Sequence, residues 1–185
     1  MFFIKPYEEK YREDVRRVCI NTGPAEALTN EKTREFILSA YCDCYIECEK
    51  ENCLVLTDEN DIAQGYILCA SDYRKFRKEF TPYLKRISKC GINSFFISFG
   101  EILINGVLSK KYPAHLHIDL NEQCRNGGYG SKMIEMLCNN MKSKGVGGIM
   151  LIVASANEKA IRFYKKNGFR KLISGFGGTV MTKEL

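Results

Sequence analysis

The sequence predicts a mixed α/β domain (α+β mixed sheet): one sheet of about seven strands with helices on both faces. Apolar runs of strand length recur seven times along the chain, and amphipathic stretches with the helical period separate most of them. The chain has 185 residues, which at about 150 residues per domain is roughly one domain, 1–185. Hydrophobic residues make up 45% and charged residues 27%. That is the composition of a globular chain with a real core, and it excludes disordered and collagenous classes. No apolar run approaches the roughly 18 residues of a spanning helix, so no membrane partner is expected. Met1 to Glu9 carries neither the basic nor the long apolar region of an export signal.

Phe2-Phe3-Ile4 reads as a short strand stopped near Pro6. A helix follows over about Glu8 to Thr22, with Tyr11, Val15, Val18 and Cys19 on one face, ended by Gly23-Pro24. A second helical region runs from about Asn30 to near Glu47. Cys53 to Thr57 and Ile62 to Ala70 are strands joined by the polar turn Asp58-Glu59-Asn60-Asp61, which makes a hairpin. From about 72 to 111 the pattern changes to a helical insertion. Tyr73 to Phe80 is amphipathic and strongly basic, Gly91 is a break, and Asn93 to Leu108 is apolar with Phe95, Phe96, Phe99, Ile102, Leu103 and Val107. Forty residues are too few for a separate core, so the insertion is expected to pack on the body.

His115 to Leu120 is a strand with strict alternation. Leu116, Ile118 and Leu120 point one way and His115, His117 and Asp119 the other. After a glycine-rich turn comes a helix from about Ser131 to Lys144, with Met133, Met136, Leu137 and Met141 at core spacing. Ile149 to Val153 is a strand apolar enough to be buried on both faces. Asn157 is suited to cap a helix that runs to Lys166 and stops at Asn167-Gly168. Phe169 to Leu172 and Thr179 to Met181 close the sheet.

Nine cysteines, an odd number, with no export signal point to reduced thiols and a cytoplasmic location. Cys42, Cys44, Cys48 and Cys53 are crowded, but they lack the paired CxxC spacing of a zinc site and have no nearby His. They read as small apolar residues of a helix and the strand after it, and no metal is expected. The net charge of +6 suits a polyanionic ligand, a phosphate-rich cofactor or nucleic acid, and equally a plain solvated surface. The run Arg74 to Lys78 among Tyr73, Phe76 and Phe80 could pair and stack with a nucleic-acid strand. A solvated helix face explains it with fewer assumptions, and no nucleic-acid partner is expected.

The chemically informative segment is Leu120 to Ser131, between a strand and a helix. Glycines let the backbone turn tightly, and the following helix offers unpaired N–H groups and a positive dipole end, an anion site suited to phosphate. The dinucleotide fingerprint fails because Met133 stands where its last small residue belongs. The Walker loop fails because the order is Gly130-Ser131-Lys132. What remains is Arg125-x-x-Gly128-x-Gly130. After the next strand, Asn157 begins a segment in which Ala160, Ile161, Phe163 and Tyr164 recur at helical spacing. On periodicity alone, Tyr164 is a core aromatic with its hydroxyl at the edge.

The two blocks together resemble the GNAT superfamily of acetyl-CoA-dependent N-acetyltransferases. Arg125-x-x-Gly128-x-Gly130 is similar to its pyrophosphate loop, and Asn157-x-x-Ala160-x-x-Phe163-Tyr164 with Asn167-Gly168-Phe169 to its second signature. The element order matches over nearly the whole chain. The insertion and the stretch Tyr112 to Leu120 resemble a narrower subgroup, which includes the acetyltransferase-like domain of O-linked N-acetylglucosamine hydrolases.

The resemblance implies a mostly antiparallel sheet that splays between its fourth and fifth strands, with the pantetheine of acetyl-CoA (coenzyme A) in the gap. Main-chain groups around Ile118 and Leu120 would pair with the pantetheine, and N–H groups of Arg125, Asn126, Gly127, Gly128, Tyr129, Gly130 and Ser131 would hold the pyrophosphate. Asn157 would touch the pantetheine from the other side, and Tyr164 would act as general acid toward the departing thiolate, whose thiol is of similar acidity. A neutral amine attacks a thioester directly, so no enzyme nucleophile is needed. Asp119, His117 and Glu101 are candidates for the base. His115, His117 and Asp119 either look into an acceptor site or are satisfied polar groups under the insertion. The expected acceptor is a small-molecule or peptide amine; a homodimer is one assembly open to the chain, and the sequence does not decide the oligomeric state. The alternative is a catalytically silent CoA-binding or protein-interaction domain; the intact loop and the retained Tyr164 favour activity.

Overall fold

A computed structural model describes residues 1–175 and 177–185. The seven strands are β1 (Phe3–Pro6), β2 (Leu54–Thr57), β3 (Ala63–Ala70), β4 (Ala114–Leu120), β5 (Gly148–Ala154), β6 (Arg170–Gly175) and β7 (Gly178–Glu184). They form one sheet in the order β1-β2-β3-β4-β5-β7-β6. Every pairing is antiparallel except β4 with β5, which is parallel and confined to Ala114 opposite Ile149 and His115 opposite Met150. Beyond His115 the two strands part, which is the splay expected.

Helices cover both faces. On one lie α1 (Arg12–Thr22), α2 (Glu31–Tyr41) and α3 (Asp43–Cys48), joined by the insertion helices α4 (Tyr73–Glu79), α5 (Thr81–Cys90) and α6 (Ile92–Leu108). On the other lie α7 (Tyr129–Ser143) and α8 (Glu158–Lys166). The expected inward face of α1, Tyr11, Val15, Val18 and Cys19, is buried, packed with Tyr45 and Tyr66 on the first side of the sheet. Met133, Ile134, Leu137 and Met141 of α7 pack with Leu116, Ile149 and Tyr164 on the second. Caps form where short polar residues predict them. Asn30 accepts from Lys32 and Thr33, Asp72 from Arg74 and Lys75, and Asn157 from Ala160.

Several expectations need correcting. The first helix starts with a 3-10 turn at Glu9–Tyr11, and its α-helical part begins only at Arg12. The second helical region is two helices, broken at Cys42 (φ −131°, ψ −70°), where the chain turns so that Asp43 faces Arg16 at 2.5 Å and Tyr45 faces the sheet. The basic helix also breaks at Phe80, because Pro82 in the first turn of α5 can open a helix but not continue one. Met136 points outward, and Ile134 and Cys138 take its place in the core. β5 is not covered on both faces throughout: Ile152 is only partly buried, where the splay opens beside it.

The insertion packs on the body through Phe76, Phe80, Tyr83 and Ile87, all buried in the first core, and through Tyr73, which is buried beside them. The aromatics of this helix, Tyr73, Phe76 and Phe80, are thus inside, and Arg74, Lys75, Arg77 and Lys78 are a solvated face. α6 departs most from expectation. Its buried residue is Ser98, while Phe96 (61% exposed), Leu103 (52%) and Val107 (81%) face outward. Ser98, Glu101 and Asn105 line a cavity over the sheet. The helix is largely inverted: Ser98, Glu101 and Asn105 face the protein beside Ile102, and most of its apolar residues face solvent.

All nine cysteines are free thiols. Cys42, Cys44 and Cys53 are buried in the first core, the role read for them as small apolar residues. Among the described residues no three His, Cys, Asp or Glu converge as a metal-binding set, and no helix is long and apolar enough to cross a membrane.

Candidate active site

The glycine-rich turn delivers what its residue types allow. Asn126 (φ +66°) and Gly128 (φ +77°) are both left-handed, and Gly128 is the N-cap of α7 without a side-chain capping bond. The first main-chain bond of the helix runs from the Lys132 N–H to the Gly128 carbonyl at 3.2 Å. The N–H groups of Tyr129, Gly130 and Ser131 therefore sit at the positive end of a 15-residue helix with no main-chain acceptor. Gly130 is required by close approach: a Cβ there would lie 3.1 Å from the Phe163 ring and 3.3 Å from Leu120. This contact locks α7, α8 and the end of β4 together. Arg125 Nε donates to the Leu120 carbonyl at 2.9 Å, so this side chain braces the loop against the strand.

The antiparallel ladder of β3 and β4 continues with the Asn121 N–H donating to the Gln64 carbonyl at 2.9 Å. Alternation from that bond turns the main-chain groups of Ile118 and Leu120 away from β3, toward the gap that β5 has left. The gap thus leads from the mouth of α7 along an edge that no strand pairs, where the Leu120 carbonyl is held by Arg125 and the Leu120 N–H faces the gap. Tyr164, 8% exposed, packs edge-on against Phe163 (5.4 Å between centroids) and Phe169 (5.7 Å). Burial, and secondarily the Asp119 carboxylate, raises its phenol above the ordinary value. Asn157 Oδ1 is occupied in capping α8.

On the opposite face of β4, His115, His117 and Asp119 share one side, as alternation requires. The Tyr66 hydroxyl donates to Asp119 Oδ2 at 2.6 Å. Burial raises the Asp119 carboxyl to about 6, against the lowering effect of that bond. His117 Nε2 lies 3.0 Å from the Tyr45 hydroxyl, and burial lowers the imidazole to about 4. His115 sits among the rings of Phe76, Tyr45 and Tyr73 at 4.6–5.6 Å, and burial with the neighbouring His117 lowers it to about 3. Glu101 accepts from the Tyr41 hydroxyl at 3.2 Å, and burial lifts it to about 7. Tyr41, Tyr45, Tyr66 and Ser98 escape sequence reasoning because periodicity assigns them to core or helix surface. The signal that could have found Ser98 is its spacing with Glu101 and Asn105, three and seven residues apart in an otherwise apolar helix.

Comparison with known proteins agrees with this geometry. The model of the acetyltransferase (GNAT) family matches residues 24–169. The chain belongs to that family of N-acetyltransferases, whose members use acetyl-CoA. Its fold is similar over nearly full length to solved structures. The crystal structure of SsHAT is 24% identical, with 99% of this chain and 98% of that one covered and a TM-score of 0.84. An agmatine N-acetyltransferase mutant in its apo form is 13% identical (100% and 99% covered, TM-score 0.69). The PaiA N-acetyltransferase of Thermoplasma acidophilum in complex with coenzyme A is 15% identical (100% and 99% covered, TM-score 0.65).

Proposed function

We propose that this protein transfers the acetyl group of acetyl-CoA directly to a primary amine, with Tyr164 as general acid. The observation that carries the reading is the set of unbonded N–H groups at the mouth of α7, placed where β4 and β5 part. In this reading the N–H groups from Asn126 to Ser131 hold the diphosphate; that of Arg125, expected from the sequence to join them, already donates to the Glu122 carbonyl at 3.1 Å and closes the turn before the loop. Main-chain groups of Ile118 and Leu120 pair with the pantetheine, and Asn157 meets it from α8. Acetyl-CoA supplies an activated acyl group. The chain holds it against the open strand edge and returns a proton to the thiolate from Tyr164, whose raised phenol stays protonated at neutral pH. Of the two strand-borne candidates for the base, Asp119 at about 6 is a far better proton acceptor than His117 at about 4.

The finer resemblance to the acetyltransferase-like domain of O-linked N-acetylglucosamine hydrolases is part of this proposal, supported by the helical insertion between β3 and β4. So is a cytoplasmic location, supported by nine free thiols. We assign the assembly to a homodimer through α6. Ile92, Phe96, Phe99, Leu103 and Val107 form an outward stripe at spacings of four, three, four and four, and a two-fold axis lays such a stripe against itself. The decisive experiment is a transfer screen with acetyl-CoA across an amine library, reading released thiol. Amine-dependent thiol release is expected, and none with any amine overturns the reading.

A further inference from the structure

We propose that the cavity beneath α6 seats the acceptor as an unbranched primary ammonium and that Glu101 takes its proton. The inference rests on the acetyl-transfer reading and deepens it. The cavity, about 40 Å³, borders the place where β4 and β5 part and is lined by Leu116 and His117 of one strand and Leu151 and Ile152 of the other. It has room for one or two water-sized groups, here an ammonium and its first methylene.

Its walls carry polar atoms that nothing in the described residues satisfies. Ser98 Oγ and both ring nitrogens of His115 are buried without a hydrogen-bond partner, although such groups are nearly always paired. A neutral imidazole offers one acceptor nitrogen, Ser98 Oγ offers a second acceptor, and Glu101 supplies the third together with a countercharge. Three acceptors match the three N–H groups of a primary ammonium. The surrounding rings of Tyr45, Tyr73 and Phe76 also favour a cation. This explains the inversion of α6, whose polar stripe faces the cavity.

Asp119 does not line this cavity, and its Oδ2 is engaged by Tyr66. Glu101 is therefore the carboxylate beside the nitrogen. The charged and titratable groups facing it are Tyr41 from α2, Tyr45 from α3, Tyr73 and the exposed rim residue Arg77 from α4, and His115 and His117 from β4. No lysine or arginine of α5 lines the cavity. One ammonium proton passes to Glu101 and on to solvent. The freed lone pair forms the N–C bond as the C–S bond breaks. Tyr164 protonates the thiolate, and the second nitrogen proton restores the phenol.

The test uses n-butylamine and butyltrimethylammonium, titrated calorimetrically into CoA-saturated protein, alongside steady-state kinetics. Butylamine is expected to bind and its quaternary analogue not to. Glu101→Gln is expected to leave CoA affinity unchanged, to lower kcat/KM at least about 100-fold, and to remove the pH limb near 7. Ser98→Ala, which removes one acceptor, should raise KM roughly five- to tenfold with kcat little changed. Equal binding of the two ammonium compounds, no butylamine binding, or a Glu101→Gln enzyme within threefold of wild type overturns the inference while the transfer reading stands. Absence of transfer to every amine overturns that reading instead, and the binding titration still decides the cavity.

Discussion

The Tyr66 hydroxyl donates to Asp119 Oδ2 across 2.6 Å, from β3 to the neighbouring strand β4. This bond favours the charged carboxylate, yet burial outweighs it and leaves the group at about 6, above its ordinary 3.8. Between those values the native state binds a proton that the unfolded chain has lost. Asp119 therefore opposes stability as pH rises from about 4 to just above 6, by about 3 kcal/mol in all at 1.36 kcal/mol per pH unit. Asp119→Asn should be the more stable form at pH 8 by about 2–3 kcal/mol, with the difference gone below pH 4. Urea unfolding at the two pH values measures this, and a pH-independent difference would contradict it.

The turn at Gly128 tests the proposed cofactor loop. Nothing lies within 4 Å of a Cβ added there, so the demand on this residue is its φ of +77° rather than space. Gly128→Val forces a β-branched residue into the left-handed region at about 1–3 kcal/mol. The turn should relax by moving the N–H groups of α7. Calorimetry should show CoA affinity lowered at least about tenfold in a protein that remains folded by circular dichroism.

Tyr164→Phe keeps the aromatic contacts with Phe163 and Phe169 and removes only the hydroxyl. Single-turnover kinetics should show acetyl transfer slowed about 10²- to 10⁴-fold, with CoA affinity unchanged. An unchanged chemical step would remove Tyr164 from the mechanism.

The outward stripe of α6 makes a prediction about assembly. Phe96→Glu combined with Leu103→Glu places two charges on a face that is now apolar and exposed. Light scattering should find the wild type as a dimer and the double variant as a folded monomer. A monomeric wild type would dispose of the α6 interface.

Much of the fold was legible because its signals are local. The alternation along His115 to Leu120 assigns each side chain to a face before any partner strand is known, and those assignments hold. The left-handed turn at Gly128 and the cap at Asn157 likewise depend on a few adjacent residues. The breaks at Cys42 and Phe80 are not legible in the sequence, because what turns the chain there, the pairing of Asp43 with Arg16 and a restart at Pro82, competes with a continuing helical period.

By itself the sequence determined the seven strands, the order of the helices, the glycine-rich turn at one helix mouth and a family resemblance, since spacing and backbone chemistry are properties of the chain alone. Tertiary structure decided which face of α6 points inward, where β4 releases β5, and how far burial moves Glu101 and Asp119 from ordinary carboxyls. The reason is physical. A helical period states that two faces differ, but only the shape and polarity of the opposing surface select which is buried, and a carboxyl's acidity is set by the water its neighbours exclude.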